Sequence, residues 1–268
     1  MEHLKDILPD AIPQGNTESM SSHKCPKCGR ETRVTEAELF GRVYRYGGPC
    51  ECEIEAAAKE EAAKDAREKQ ERLDRLFENS GLGPRFGRCC FGNWLKLPGT
   101  EAAHRTAATY AKGLRENVKE GHGFLIFGPP GNGKSHLAAA VTREALGRGY
   151  TAVFERVPRL LSKIRATYRD GSPVSEGEIM RALTRADLLI LDDAGAEKWT
   201  EWTEPTLYTI IDERYSYCKP LIITTNSTLD ELESKIGERA MDRVLEMCEI
   251  VENTGKSYRK MKAEGLIK

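Results

Sequence analysis

The sequence predicts an α/β fold in which a parallel sheet is flanked by helices, preceded by a small N-terminal module and a helical linker. Three observations carry this. Beyond residue 81, strand-sized apolar runs alternate with helix-like segments. The stretch "GPPGNGKS" at residues 128–135 has two glycines separated by four residues and followed by Lys-Ser, the spacing of a phosphate-binding loop. Four of the eight cysteines gather at positions 25, 28, 50 and 52.

Size and charge set the frame. A chain of 268 residues accommodates one sizeable core and a smaller module. Its 41 basic and 42 acidic side chains leave a net charge of −1, so any nucleic-acid surface is a local patch. "MEHLKDILPDAIPQG" at the start lacks an apolar signal core, and no run approaches the ~18 apolar residues of a membrane span. We expect a cytoplasmic protein with reduced thiols or metal-bound cysteines and no membrane association.

Residues 1 to 22 are polar and read as a flexible lead or short adaptor. Cys25-Pro-Lys-Cys28 is a knuckle in which two thiolates and backbone amides wrap one metal ion, and Cys50-Glu-Cys52 can close a structural Zn²⁺ tetrahedron. His23 is an alternative ligand. Cys89, Cys90, Cys218 and Cys248 read as ordinary reduced residues. From Glu53 to about Glu78 the chain is rich in Ala, Glu, Lys and Arg and free of Gly and Pro, with Glu55–Lys59, Glu60–Lys64, Glu68–Arg72 and Glu71–Arg75 in the order that supports an exposed helix. Its apolar residues collect at Leu73, Leu76 and Phe77, which predicts a connector docked at its C-terminal end. "NSGLGPRFG" then marks a boundary. The expected division is 1–52 for the zinc module, 53–80 for the linker and 81–268 for the nucleotide-binding domain.

Within that last segment "GFLIF" is a buried strand leading into Gly128, Pro129, Pro130, Gly131, Asn132, Gly133, Lys134, Ser135 and His136, the expected ATP-phosphate loop and start of the next helix. Lys134 would bridge the β- and γ-phosphates, and Ser135 would ligate Mg²⁺. "TAVFERV" is the next strand, followed by helices near 158–169 and 176–185. "LLILDD" is a strand buried on both faces whose end presents Asp192 for Mg²⁺ and Asp193 for the attacking water. After a helix near 204–216, "PLIITTN" delivers Asn226 to the same edge of the sheet.

"IGERAMDRV" places Arg239 and Arg243 on one helix face. A solvated face is one reading, because Glu238 and Asp242 alternate with them. The other is functional: an open P-loop site needs positive charge from a neighbouring molecule, with Arg239 the finger and Arg243 its partner. "RVPRLLSKIRATYR" at 156–169 is the most basic helical stretch, and Lys163, Arg165, Tyr168 and Arg169 could track and stack single-stranded DNA or pair with acids elsewhere.

The ordered set "FGPPGNGKSHLAAA", "LLILDDAGAEKW", "ITTN", "GERAMDRV" and "GKSYR" resembles the DnaC/DnaI-type replicative-helicase loaders and the related IstB transposition ATPases, both AAA+ proteins, over roughly Gly81 to Arg259. The resemblance implies ATP, Mg²⁺ and an oligomeric ATPase, with Asp193 at the catalytic acidic position, Asn226 as sensor 1, Arg239 as arginine finger and Arg259 as a sensor-2-like residue. For a loader it implies a replicative DNA helicase as partner, bound by the N-terminal module, and single-stranded DNA. For an IstB protein it implies duplex DNA and a transposase. Asp193 stands where AAA+ proteins commonly carry glutamate, and its shorter reach implies slow hydrolysis.

Overall fold

In a computed structural model, residues 21–39, 42–77, 82–169, 171–196 and 200–267 are described. The chain forms two compact units, one ending at Lys64 and the other beginning at Asp65.

The first unit contains strands the sequence reading did not foresee. β1 (Ser21–Lys24), β2 (Glu31–Leu39) and β3 (Arg42–Gly47) form an antiparallel sheet in that order, with Val34 facing Ser21 on one side and Gly47 on the other. Ser21 and Ser22, expected in a loose lead, therefore belong to a strand; the rest of that lead lies outside the described residues. Val, Tyr and Thr recur in "ETRVTEAEL" and "RVYRYG", the composition a pleated strand favours. α1 (Glu51–Phe77) follows, starting two residues earlier than expected, so that Cys52 lies inside its first turn.

None of the four expected ion pairs forms on α1. Arg67 pairs with Glu71 at 3.0 Å and Gln70 donates to Asp74 at 2.9 Å instead. Exposed long side chains gain so little from any one partner that solvent competes on equal terms. Leu73 and Phe77 are buried in the core of the second unit, the docked C-terminal end that the sequence implied; the Leu76 side chain lies outside the described residues.

The second unit opens with α2 (Gly83–Phe86) and a 3₁₀ turn at Phe91–Asn93, then α3 (Glu101–Lys112) and α4 (Leu114–Glu120). Five parallel strands follow: β4 (Gly123–Phe127), β5 (Ala152–Arg156), β6 (Leu188–Ala194), β7 (Leu221–Thr225) and β8 (Cys248–Glu252), in the spatial order β5-β6-β7-β4-β8. Helices α5 (Lys134–Gly147), α6 (Val157–Ala166), α7 (Glu176–Arg185), α8 (Thr203–Ser216), α9 (Leu229–Ile236), α10 (Glu238–Met247) and α11 (Tyr258–Ala263) complete the unit. α6 ends at Ala166, short of the predicted 169, so Tyr168 and Arg169 lie past its last turn.

Strand side chains alternate between two cores, because successive residues point to opposite faces. Phe124, Ile126, Phe154, Ile190 and Ile222 pack with α3 and α5 on one face. Leu125, Val153, Leu189, Leu191 and Ile223 pack on the other face with α6 to α10. Burial on both sides explains why these strands read as continuous apolar runs. The ladder between β6 and β7 is regular through Leu191 and shifts register before Ala194, and Asp193 within that irregularity has a φ of 58°. A non-glycine residue in the left-handed region is strained, and such strain concentrates where function requires it.

Candidate nucleotide-binding site

The loop after β4 is shaped by two glycines whose neighbours leave no room for a side chain. Gly128 (φ 136°) lies with its missing Cβ directed at the Asn253 carbonyl, and Gly133 (φ 96°) faces the Trp94 ring. From Asn253 to Tyr258 the chain clasps this loop from behind. Asn132 Nδ2 donates to the Asn253 carbonyl at 2.6 Å, and the Tyr258 amide donates to the Gly131 carbonyl at 2.9 Å. Pro129 and Pro130 lie exposed at the tip; they lack an N–H, so they shape the loop rather than donate from it.

Lys134 is buried at 6% exposure and folds back over the loop. Its Nζ donates to the carbonyls of Gly128 (2.7 Å) and Pro129 (2.8 Å) and to the side-chain oxygens of Asn132 (3.2 Å) and Asn226 (2.8 Å). Burial pushes its pKa down to about 8; Arg259 nearby acts in the same sense, while the Asp193 and Asp192 carboxylates oppose it. An ammonium held by neutral oxygens in the interior is poised to exchange them for phosphate oxygens.

Asp192 ends the buried part of β6 at 1% exposure. Thr224 donates to its Oδ1 at 2.6 Å and Arg156 Nε stands 3.7 Å from Oδ2, while the Ser135 hydroxyl is near enough to favour the charged form. Burial raises its pKa, and the Ser135 and Thr224 hydroxyls counter that rise. Thr224 also accepts from the Asp193 amide at 3.0 Å, so one hydroxyl fixes both acidic positions. Asn226 presents its Oδ1 to Lys134 and donates from Nδ2 to Asp193 Oδ1 at 2.6 Å. Ser135 Oγ and the Asp192 carboxylate are oxygens of the hard type that Mg²⁺ prefers, and the two interact.

Other expected residues are placed differently. His136 turns its ring away, with Nε2 3.0 Å from the Cys90 carbonyl and its edge against Trp94. Arg259 is exposed on α11. Arg239 is exposed in the first turn of α10, and its guanidinium has no partner among the described residues. Arg243 corrects the expectation of an arginine pair. It forms an ion pair with Asp212 at 2.6 Å, donates to the Tyr208 hydroxyl at 3.1 Å and lies over the Tyr208 and Tyr215 rings. A guanidinium stacked and paired within its own subunit clamps α10 to α8 and is not available to reach elsewhere.

The basic stretch is likewise divided. Lys163 is withdrawn from the expected DNA track: it pairs at 2.8 Å with Glu155, which is 1% exposed, and lies over the Phe77 ring. A buried carboxylate demands a counterion more strongly than a solvated phosphate does. Arg165 stacks on Trp202 at 4.6 Å and donates to Thr200, Tyr168 is 55% exposed and accepts from Trp202 Nε1 at 3.1 Å, and Arg169 is exposed.

In the first unit the four cysteines converge. Their sulfurs all lie within 4.8 Å of one another, with Cys25–Cys52 at 3.6 Å and Cys28–Cys50 at 3.5 Å. Tetrahedral Zn²⁺ with bonds of about 2.3 Å requires sulfur separations of about 3.8 Å, so the set fits. The backbone amides of Cys28 and Lys27 hold the Cys25 thiol down at about 7, whereas the neighbouring thiols push Cys52 up. The His23 side chain lies outside the described residues.

The profile of the IstB-like ATP binding proteins matches residues 104–265. This chain belongs to that family. The replicative helicase loader DnaC of Escherichia coli K12 is 31% identical over 191 residues, covering 71% of this chain and 76% of its own. The loader of the same name from Buchnera aphidicola of Acyrthosiphon pisum is 26% identical over 174 residues, covering 65% and 70%. A crystal structure of the DnaC helicase loader superposes with a TM-score of 0.58 and 25% identity, over 64% of this chain and all of that one. The fold is that of the AAA+ ATPases, and membership in this ATP-binding family agrees with the loop, the acids and Asn226.

Five residues at these sites escaped the sequence reading. Thr224 carried a faint signal, a hydroxyl inside an otherwise apolar strand. Arg156 was read only as the first residue of the basic stretch, and Asn253, Trp94 and Trp202 carried no signal of these contacts, since each acts through neighbours distant in sequence.

Proposed function

We propose that this chain is an ATPase that loads a replicative DNA helicase onto single-stranded DNA. The observation that carries the reading is the convergence of Lys134, Ser135, Asp192, Asp193 and Asn226 at the carboxyl ends of β4, β6 and β7, in a chain whose relatives bear the loader name.

Lys134 exchanges loop carbonyls for the β- and γ-phosphates of ATP, while successive loop amides and the start of α5 receive the rest of the charge. Ser135 and Asp192 would hold Mg²⁺, which would supply charge neutralisation at the phosphate oxygens. Asp193 takes the proton of the attacking water, and Asn226 keeps its carboxylate turned toward that position. Its side chain is one methylene shorter than glutamate, so turnover is slow until DNA or the helicase adjusts the site. ATP-bound subunits associate side by side, Arg239 of one reaching the γ-phosphate of the next, with Arg259 as a second cation within the subunit.

Cys25, Cys28, Cys50 and Cys52 would hold a Zn²⁺ that ties together the helicase-contacting module at residues 1–52; the linker spans 53–80 and the ATPase domain 81–268. Arg165, Tyr168 and Arg169, joined by Trp202, form the DNA face, where rings and guanidinium groups tolerate any base. The deciding measurement is capture: the immobilised full chain with ATP should retain purified replicative helicase and release it when Lys134→Ala is substituted. Failure to retain helicase, together with ATP-dependent binding of duplex DNA and a transposase, would replace the loader reading with the transposition-helper one.

A further inference from the structure

Asp192 has a cation of its own chain beside it. Arg156, the last residue of β5, is paired in register with Asp192 on β6. In parallel neighbours that pairing sets both side chains on the same face of the sheet. Arg156 Nε approaches Asp192 Oδ2 at 3.7 Å, while Thr224 donates to Oδ1. Asp192 is 1% exposed and cannot lean on solvent, whereas the Arg156 side chain is 52% exposed. No other carboxylate among the described residues pairs with Arg156. Its guanidinium also lies 5.3 Å from the centre of the Phe86 ring, a cation–π seat that remains when the carboxylate contact is given up.

We propose that Arg156 is a resident counter-cation of Asp192 that Mg²⁺ must displace, so that it sets how much Mg²⁺ the site requires before it holds a nucleoside triphosphate tightly. This rests on reading Asp192 as the Mg²⁺ partner. A buried carboxylate left bare in the empty site would be costly, and Arg156 removes that cost. The same contact opposes the arriving ion by mass action, since occupancy by one cation excludes the other. The contact is long and half-solvated, so the opposition is modest and reversible. Arg156 is a positioning residue in this scheme and touches no phosphate.

The test is an equilibrium titration of a nonhydrolysable ATP analogue, AMPPCP, binding to the full chain at a series of MgCl₂ concentrations, so that turnover plays no part. Arg156→Gln should lower the Mg²⁺ concentration giving half of the Mg²⁺-dependent tightening by about two- to fivefold, the range expected for releasing an exposed ion pair. Arg156→Lys, which keeps the charge, should stay near wild type. An unchanged or higher Mg²⁺ requirement in Arg156→Gln overturns the proposal. Asp192→Asn separates the two layers: if its affinity responds to Mg²⁺ as the wild type does, the assignment of Asp192 itself fails, and the proposal with it.

Discussion

Asn132 and Asn253 exchange side-chain to backbone hydrogen bonds across 121 residues, Asn132 Nδ2 to the Asn253 carbonyl and Asn253 Nδ2 to the Asn132 carbonyl at 3.2 Å. Asn253 is fully buried, its amide donates to the Phe127 carbonyl, and its Oδ1 accepts from Gly255. It thereby joins the end of β8 to the phosphate loop. Asn253→Ala strands a buried carbonyl and a buried amide, each worth about 1–3 kcal/mol. We expect a lower melting temperature and weaker ATP binding by calorimetry. Asn253→Asp should be worse, because it removes the donor and adds a buried charge. Melting and ATP affinity both at wild-type values in Asn253→Ala would mean that the loop holds itself.

Arg214 is the largest fully buried side chain among the described residues. Its Nη1 donates to the carbonyls of Leu183 and Ala186 and its Nη2 to that of Pro220 at 2.6 Å, so it caps the end of α7 and ties it to the start of β7. Burial pushes its pKa down to about 9, which leaves it charged at neutral pH. Arg214→Met fills the space and abandons several carbonyls, a loss of about 3 kcal/mol or more and roughly 6–12 °C in melting temperature. Calorimetric unfolding checks this, and a shift under 2 °C would show that the carbonyls find other partners.

The parts legible in sequence were those whose spacing is dictated by an external partner or by simple burial. Phosphate geometry fixes Gly128, Gly133, Lys134 and Ser135 relative to one another, tetrahedral metal geometry groups the cysteines, and two-sided burial makes β4 and the first residues of β6 and β7 apolar. β8 was missed because "CEIVE" sits at an edge, with Glu249 and Glu252 exposed. Pairing of charges was illegible: Lys163 finds Glu155 from the preceding strand, and Arg243 finds Asp212 and two tyrosines on α8. Helical spacing shows which residues share a face, and only the packing shows what that face meets.

His104 stacks on Trp94 with ring centres 5.8 Å apart, and burial, aided by Lys96, lowers its pKa below 6.5. A depressed folded-state pKa means that the unfolded chain binds the proton first, so stability is full above pH 6.5 and declines as pH falls through the folded value. Urea unfolding at pH 7.5 and 5.5 should therefore show a larger loss for wild type than for His104→Gln. Equal losses would mean that His104 is protonated as easily folded as unfolded.

The cysteine cluster predicts one zinc ion per chain by metal analysis. Chelation should make residues 21–52 sensitive to protease, since structural zinc binding is coupled to folding. Cys28→Ser should lose the metal while the ATP site, built wholly from other residues, keeps its affinity. Zinc content unchanged in Cys28→Ser would show that this thiol is not a ligand.

Arg239 and Arg243, one helical turn apart, should behave oppositely. Arg239 is exposed and its side chain holds no bond among the described residues, so Arg239→Ala should leave the melting temperature within about 1 °C and ATP affinity unaltered. If its charge completes a neighbour's site, the hydrolysis rate should still fall by about 10³ or more. Arg243 holds Asp212 and the Tyr208 and Tyr215 rings, so Arg243→Ala should cost about 1–3 kcal/mol of stability by loosening α10 from α8. Mixing decides whether the arginine acts between subunits. Lys134→Ala cannot use its own loop and Arg239→Ala cannot serve its neighbour, yet together they form some junctions with an intact loop on one side and an intact arginine on the other. Activity recovered on mixing two inactive variants supports action across the junction, and a mixture as inactive as its parts excludes it.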